Sequence, residues 1–114
     1  MSKFNFDYDE ESDDLFLFSE HKSKGSIEIG DLVLDFDSKG NVVGIEFLNA
    51  TRFISESGSR VSKEFLRNLE ACDVKVSQKN NFLFIKLTLA TKTKEVIVPI
   101  NAPFVLQQSP ALAC

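Results

Sequence analysis

"DLVLDFDSKGNVVGIEFL", Asp31 to Leu48, reads as two strands around a turn. Apolar residues alternate on either side of Ser38–Asn41 with the period of two that marks a half-buried strand. The pattern also sets a register. An even-length loop centred on Lys39 and Gly40 places Phe36 against Val43, Leu34 against Ile45 and Leu32 against Phe47, which makes one face wholly apolar. A one-residue slip would set Leu34 opposite Gly44 and bury less. The other face then carries Asp35 opposite Gly44 and Val33 opposite Glu46, so Asp35, Asp37, Gly44 and Glu46 share its less apolar side.

Upstream, Phe4, Phe6 and Tyr8 alternate with polar residues as a half-buried strand, and Asp9–Asp14 ("DEESDD") is too charged for anything but a turn. Leu15–Phe18 forms a strand apolar on both faces, and "SIEIG" a short one ending at Gly30. Downstream, "ATRFISESGS" reads as irregular. Val61, Phe65, Leu66, Leu69 and Cys72 then follow helical spacing, with Ser62 as N-cap and Val61 and Leu66 placed as a hydrophobic staple. The period returns to two in Asp73–Ser77, Asn81–Leu89 and Glu95–Ile100. Pairing Leu87 with Val96, Ile85 with Val98 and Leu83 with Ile100 gathers all six on one face. Pro99 cannot donate to a ladder, so this last strand belongs at an edge. The expectation is one α+β domain over 1–114, mostly antiparallel, with about eight strands in hairpins and a meander and one short helix near 62–72. Its parts are a β segment at 4–51, the helix and three-stranded meander at 60–101, and a tail at 102–114.

Hydrophobic residues make up 43% and charged residues 26%, enough apolar material to bury a core without disulfides or metal. Eleven Phe with one Tyr and no Trp describe a dry core, since Phe needs no hydrogen-bond partner. The net charge of −4 is unevenly spread: residues 1–46 hold 12 acidic and 4 basic residues (−8), residues 47–114 hold 5 and 9 (+4). An acidic first half and the lack of a dense Lys/Arg run argue against nucleic acid as a partner. The split favours self-association or a charged protein partner. Two cysteines, Cys72 and Cys114, make no disulfide framework and fit a reducing, cytoplasmic setting. No apolar run approaches the length of a membrane span.

Two segments, "YDEESDDLFLF" (Tyr8–Phe18) and "LVLDFDSKGNVVGIEFLNAT" (Leu32–Thr51), resemble the prokaryotic family known as domain of unknown function 2283. The likeness rests on Tyr8 and Asp9, the acidic turn with Asp13, the Asp35-x-Asp37 turn, and Gly44 followed by Ile45 and Glu46. It implies a small β-rich intracellular domain without established activity, in some cases an antitoxin-like partner of toxin-like proteins.

Candidates for chemistry are few. Asp35, Asp37 and Glu46, with Asp9, Glu10, Glu11, Asp13 and Asp14 near in sequence, offer the oxygen ligands that Ca²⁺ or Mg²⁺ takes. "DEESDD" lacks the Gly and terminal Glu of a calcium loop; a turn-forming Asp37 and solvated carboxylates explain the same residues. The sole His, His21, lies in a polar loop and reads as a surface residue. Gly58 beside Arg60 suggests a phosphate cradle, against a plain loop before a capped helix. Cys72 lacks a paired His and falls on an apolar face. With no nucleophile–base pair, the sequence points to a non-catalytic interaction or self-association module without cofactor. The expected form is a homodimer joined through Phe82, Phe84 and Ile97 on an outer face, with the tail residues Phe104, Val105 and Leu106 as the rival cover. The alternatives are a divalent-metal-dependent binding or hydrolytic protein using the carboxylate face, and an antitoxin-like partner.

Overall fold

A computed structural model describes residues 2–103. Its strands are β1 (Ser2–Asp9), β2 (Asp14–Phe18), β3 (Gly25–Ile29), β4 (Leu32–Phe36), β5 (Val42–Phe47), β6 (Ala71–Lys79), β7 (Phe82–Ala90) and β8 (Glu95–Pro103). Two short helices, α1 (Ala50–Glu56) and α2 (Lys63–Arg67), lie between β5 and β6. The strands form one curled antiparallel sheet in the order β3-β4-β5-β2-β1-β6-β7-β8. β1 is the joint: Asn5–Asp9 pair with β2, while Ser2–Phe4 pair with β6. The α+β class and the antiparallel arrangement expected from the sequence are those observed.

The curl turns one face of the sheet inward. Leu15, Leu17, Leu34, Ile45, Phe47, Leu87, Leu89 and Val98 are at most 1% exposed there, and Ala50 and Ile54 of α1 and Leu66 of α2 join the same buried core. Burial on this scale, at about 25 cal/mol per Å² of apolar surface, is the main favourable term.

Four pairs of the β4–β5 hairpin match the expected register: Leu32↔Phe47, Val33↔Glu46, Leu34↔Ile45 and Asp35↔Gly44. The fifth does not. Phe36 faces Val42, not Val43, because the loop has three residues instead of an even number. Asp37 and Asn41 close it, with Asp37 N–H donating to the Asn41 carbonyl over 2.9 Å, and Gly40 takes the left-handed conformation (φ 84°) that such a loop needs. A bulge at Val43 absorbs the extra residue and restores the pairing.

Gly44 answers to its neighbour. A Cβ there would sit 2.6 Å from Asp35 Oδ2 and 3.2 Å from Asp35 Cβ, so the Asp35 side chain occupies the space that Gly44 leaves. Gly44→Val is expected to lower stability by about 1–3 kcal/mol through overpacking, measured as a shift in the urea midpoint. An unchanged midpoint would mean that Asp35 swings aside freely.

The register of β7 and β8 is a second correction. Leu87 pairs with Val98, Ile85 with Ile100 and Leu83 with Ala102, two residues from the expected alignment. The hairpin closes through four residues, Thr91–Lys94, with Thr91 N–H donating to the Lys94 carbonyl (2.8 Å) and Thr91 Oγ1 accepting from Lys94 N–H (3.2 Å). A shift of two keeps every side chain on its face, so the core pattern was right and the partners were not. β8 is an edge strand, as Pro99 requires.

"ATRFISESGS", expected to be irregular, contains α1. Ala50 and Ile54 are buried one turn apart and the Phe53 ring lies 5.3 Å from that of Phe47. The helix stops where Gly58 N–H donates to the Ser55 carbonyl with φ 101°. α2 begins at Ser62 as expected, its Oγ accepting from Phe65 N–H at 3.0 Å, but ends at Arg67 rather than near residue 72. Glu70 N–H already donates to the Ala90 carbonyl, and Cys72 belongs to β6, opposite Leu89 and Phe4. Cys72 satisfies the helical and the strand period at once, which is why the pattern overran.

Candidate functional site

The motif residues divide into a buried node and a set of turn carboxylates. Asp13 is the node. It closes the β1–β2 turn with φ 59° and is 9% exposed. Its carboxylate accepts from the Tyr8 hydroxyl (2.7 Å), from Thr51 Oγ1 (2.7 Å) and from Thr51 N–H (3.2 Å), while its carbonyl accepts from Ala50 N–H (2.7 Å). Asn49, at the N-cap of α1, makes no side-chain cap bond. Asp13 thus caps α1 from another part of the chain, filling the role that a local Ser or Asp normally has. Burial pushes the Asp13 carboxyl up, but the Thr51 and Tyr8 hydrogen bonds outweigh it and hold the group below its ordinary value. Tyr8 is raised by its own burial and by the bond to Asp13.

Asp9 and Asp37 are turn formers. Asp9 Oδ1 accepts from Glu11 N–H at 3.0 Å. Asp37 accepts from Lys39 N–H (2.9 Å), Asn41 N–H (2.8 Å) and Asn41 Nδ2 (3.2 Å), and the bond from Asn41 N–H leads in lowering its pKa. Asp35 accepts from Ser26 Oγ on β3. Among the described residues no three His, Cys, Asp or Glu side chains gather in the way a metal ion requires. Asp35 and Glu46 stay on one face, while Asp37 is engaged at the loop. Gly58 sits at the carbonyl end of α1, where the helix dipole repels phosphate. Cys72 is buried, and that burial, then the neighbouring Asp73, pushes its thiol up to about 12.

The outward face of the sheet carries two aromatic pairs. Phe82 (48% exposed) and Phe84 (37%) lie side by side on β7 with ring centroids 6.2 Å apart. Ile97 is also exposed but pairs with Thr88, four residues along β7 from Phe84, so the three do not form one compact patch. The second pair, Phe16 and Phe18 on β2, stacks at 5.0 Å. Sequence reading took Phe16 and Phe18 only as part of a strand apolar on both faces. The collars differ in sign. Phe16 lies between Asp7 on β1 and Glu46 on β5, with Asp35 one row along. Phe82 faces Lys79 on β6, and Lys86 follows Phe84 on the same face of β7. Phe104, Val105 and Leu106, the rival cover, lie outside the described residues.

The β8 edge is blunted. Ser59 Oγ donates to the Ile97 carbonyl over 2.8 Å, so that carbonyl points away from β7. Residues 97, 99, 101 and 103 therefore turn their main-chain polar groups outward, and two of the four are prolines without a donor.

At the opposite end of β1 from the acidic turn, the two arms of the sheet part. The open groove between them has a volume of about 1120 Å³. Val42, Val43, Val74, Val76 and Leu83 line its floor, and Lys3, Lys22, Lys24, Lys39 and Lys75 its rim. No spacing in the sequence announces the five lysines, which come from two loops and two strands. Among the described residues no helix is long and apolar enough to cross a membrane.

The family model for "Protein of unknown function (DUF2283)" matches residues 5–50, which span β1 to the start of α1. The chain is 38% identical over 96 residues to "Uncharacterized protein MJ0789" of Methanocaldococcus jannaschii, covering 83% of this chain and 81% of that one. It is 29% identical over 100 residues to a Methanosarcina mazei protein named "Putative hypoxanthine phosphoribosyltransferase", covering 85% and 77%. No solved structure matches the chain significantly.

Proposed function

The chain belongs to the DUF2283 family, and we propose that it is a non-catalytic module that self-associates through its outer face. The reading rests on one observation: two outward-facing aromatic pairs, Phe82 and Phe84 exposed and Phe16 exposed beside a half-buried Phe18, with collars of opposite charge. Phe16 and Phe18 stand among Asp7, Asp35 and Glu46; Phe82 and Phe84 stand beside Lys79 and Lys86. Aromatic pairs that reach solvent on the outer face of a sheet mark an interaction surface. Complementary collars select which surface meets which. A two-fold axis lets the acidic pair of each copy meet the basic pair of the other, giving a closed homodimer with two equivalent contacts. The blunted β8 edge favours contact by faces over strand addition.

This reading does not take up phosphoribosyl transfer, the activity in the name of the M. mazei relative. The Gly58 loop leaves the carbonyl end of α1, where a phosphate is repelled.

Light scattering over a range of concentrations tests the proposal. A mass of twice 12.8 kDa is expected, falling toward the monomer as salt screens the collars and in a Phe16→Ser, Phe84→Ser variant. A monomer mass at all concentrations would retire it.

A further inference from the structure

We propose that the groove at the parted end of the sheet binds an amphipathic anion: a small molecule with an apolar body and a carboxylate or phosphate head. The site is separate from the outer-face aromatics. Three observations carry it.

The first is an uncovered interior. Val76 pairs with Ile85 and points to the same inward side, yet Ile85 is 2% exposed and Val76 38%. β1 pairs with β6 only from Cys72 to Val74, so nothing continues the sheet over Val76. Val42 on the facing wall is likewise only half-buried. An inward apolar surface opening at the mouth of a curled sheet is a common place for a small-molecule site.

The second is the convergence of charge. Residues 1–46 contain four cationic residues against twelve carboxylates, and all four cations (Lys3, Lys22, Lys24 and Lys39) line this one groove. Lys75 reaches the rim from β6, on the outer side of the strand, where it pairs with Lys86. Among the described residues Glu20 and Asp37 are the only carboxylates on the rim, so with His21 neutral these residues give the groove a surplus of three positive charges in a protein of net charge −4. None of the five lysines has an ion-pair partner among the described residues; the four ion pairs present involve Arg52, Arg67 and Lys92. Asp37 is already taken up by Lys39 N–H and Asn41.

The third is segregation. The acidic turn at Asp9–Asp14 and the lysine mouth at Lys3 lie at opposite ends of β1, roughly 20 Å apart at the rise of a strand. The carboxylates of the acidic turn are thus held away from the lysines; nearer the groove are Glu20 and Asp37 on its rim and Asp73 on β6, opposite Lys3. An apolar floor under unpaired ammonium groups complements an anion that also has an apolar body. A bare anion or a neutral alkane satisfies only half of the site.

Amide NMR on the full chain tests this with four probes: decanoate, decyl phosphate, decanol and inorganic phosphate. Decanoate or decyl phosphate, or both, should shift the amides of Val42, Val43, Lys22, Lys24 and Val76, and the tighter of the two identifies the head group. Decanol and inorganic phosphate should bind at least tenfold more weakly. Val76→Asp, at an already exposed position, and Lys22→Glu with Lys24→Glu should each weaken the better probe tenfold or more while leaving the spectrum of the distant core intact. Shifts confined to other surfaces would overturn the proposal. So would equal binding of decanol, or binding that appears only after residues 104–114 are deleted, which would assign the groove to the chain's own tail.

Discussion

Asp13→Ala is expected to destabilise the protein by about 2–4 kcal/mol, the combined loss of a helix cap and of hydrogen bonds to a charged acceptor. The substitution orphans the Tyr8 hydroxyl, Thr51 Oγ1 and Thr51 N–H together, and frees the N-terminus of α1 from the β1–β2 turn. It also leaves Ala at φ 59°, a conformation that Asp tolerates better. Tyr8→Phe, which removes one donor, should cost about 1 kcal/mol, and less than that in the Asp13→Ala background. Because the folded-state pKa of Asp13 is depressed, its contribution is present above the ordinary value of 3.8 and is lost as pH falls through the folded value. The stability curve should therefore drop below about pH 4, with a smaller drop in Asp13→Asn. Urea denaturation across pH measures both. A cost under about 0.5 kcal/mol, the level of an ordinary surface change, would remove Asp13 from its place as the node.

Phe47→Ala should cost about 3–5 kcal/mol. Phe47 is fully buried on β5, between Leu15 on β2 and Leu32 on β4, and its ring packs on Phe53 of α1. The deletion opens a cavity where sheet and helix meet, and rigid strand neighbours on both sides limit collapse. Phe47→Leu, closer in volume, should cost less than about 1.5 kcal/mol. Equal losses in the two variants would mean that the site closes around any side chain.

The hairpin from Leu32 to Phe47 was legible because period and turn agree: alternation fixed the face, and the buried set fixed four of five pairs. The bulge at Val43 was hidden because "DSKGN" accommodates either loop length until the Asp37–Asn41 closure is seen. The β7–β8 partners were hidden for a related reason. "ATKTKE" permits a two- or a four-residue loop, and a shift of two preserves every face. α1 left a signal in Ala50, Phe53 and Ile54 at helical spacing, but its cap lies in Asp13, 37 residues before Ala50. Distance in sequence also concealed the site. Tyr8, Asp13 and Thr51 meet only through the packing of β1, β2 and α1. The five groove lysines sit singly in loops and strands, four of them in the half that counts as strongly acidic. Charge summed over a segment says nothing about which residues the fold will gather.

The central claim, reciprocal contact between oppositely charged aromatic faces, is tested most directly by charge reversal and mixing. One variant carries Lys79→Glu and Lys86→Glu; the other carries Asp7→Lys and Glu46→Lys. All four positions are at least partly exposed, so both variants should fold. Alone, each presents two faces of like charge and should be monomeric by light scattering. Mixed in equal amounts, the two should form a heterodimer of the parental dimer mass, because each acidic face again meets a basic one. Variants that keep the parental mass on their own, or that stay monomeric when mixed, would contradict the reciprocal contact.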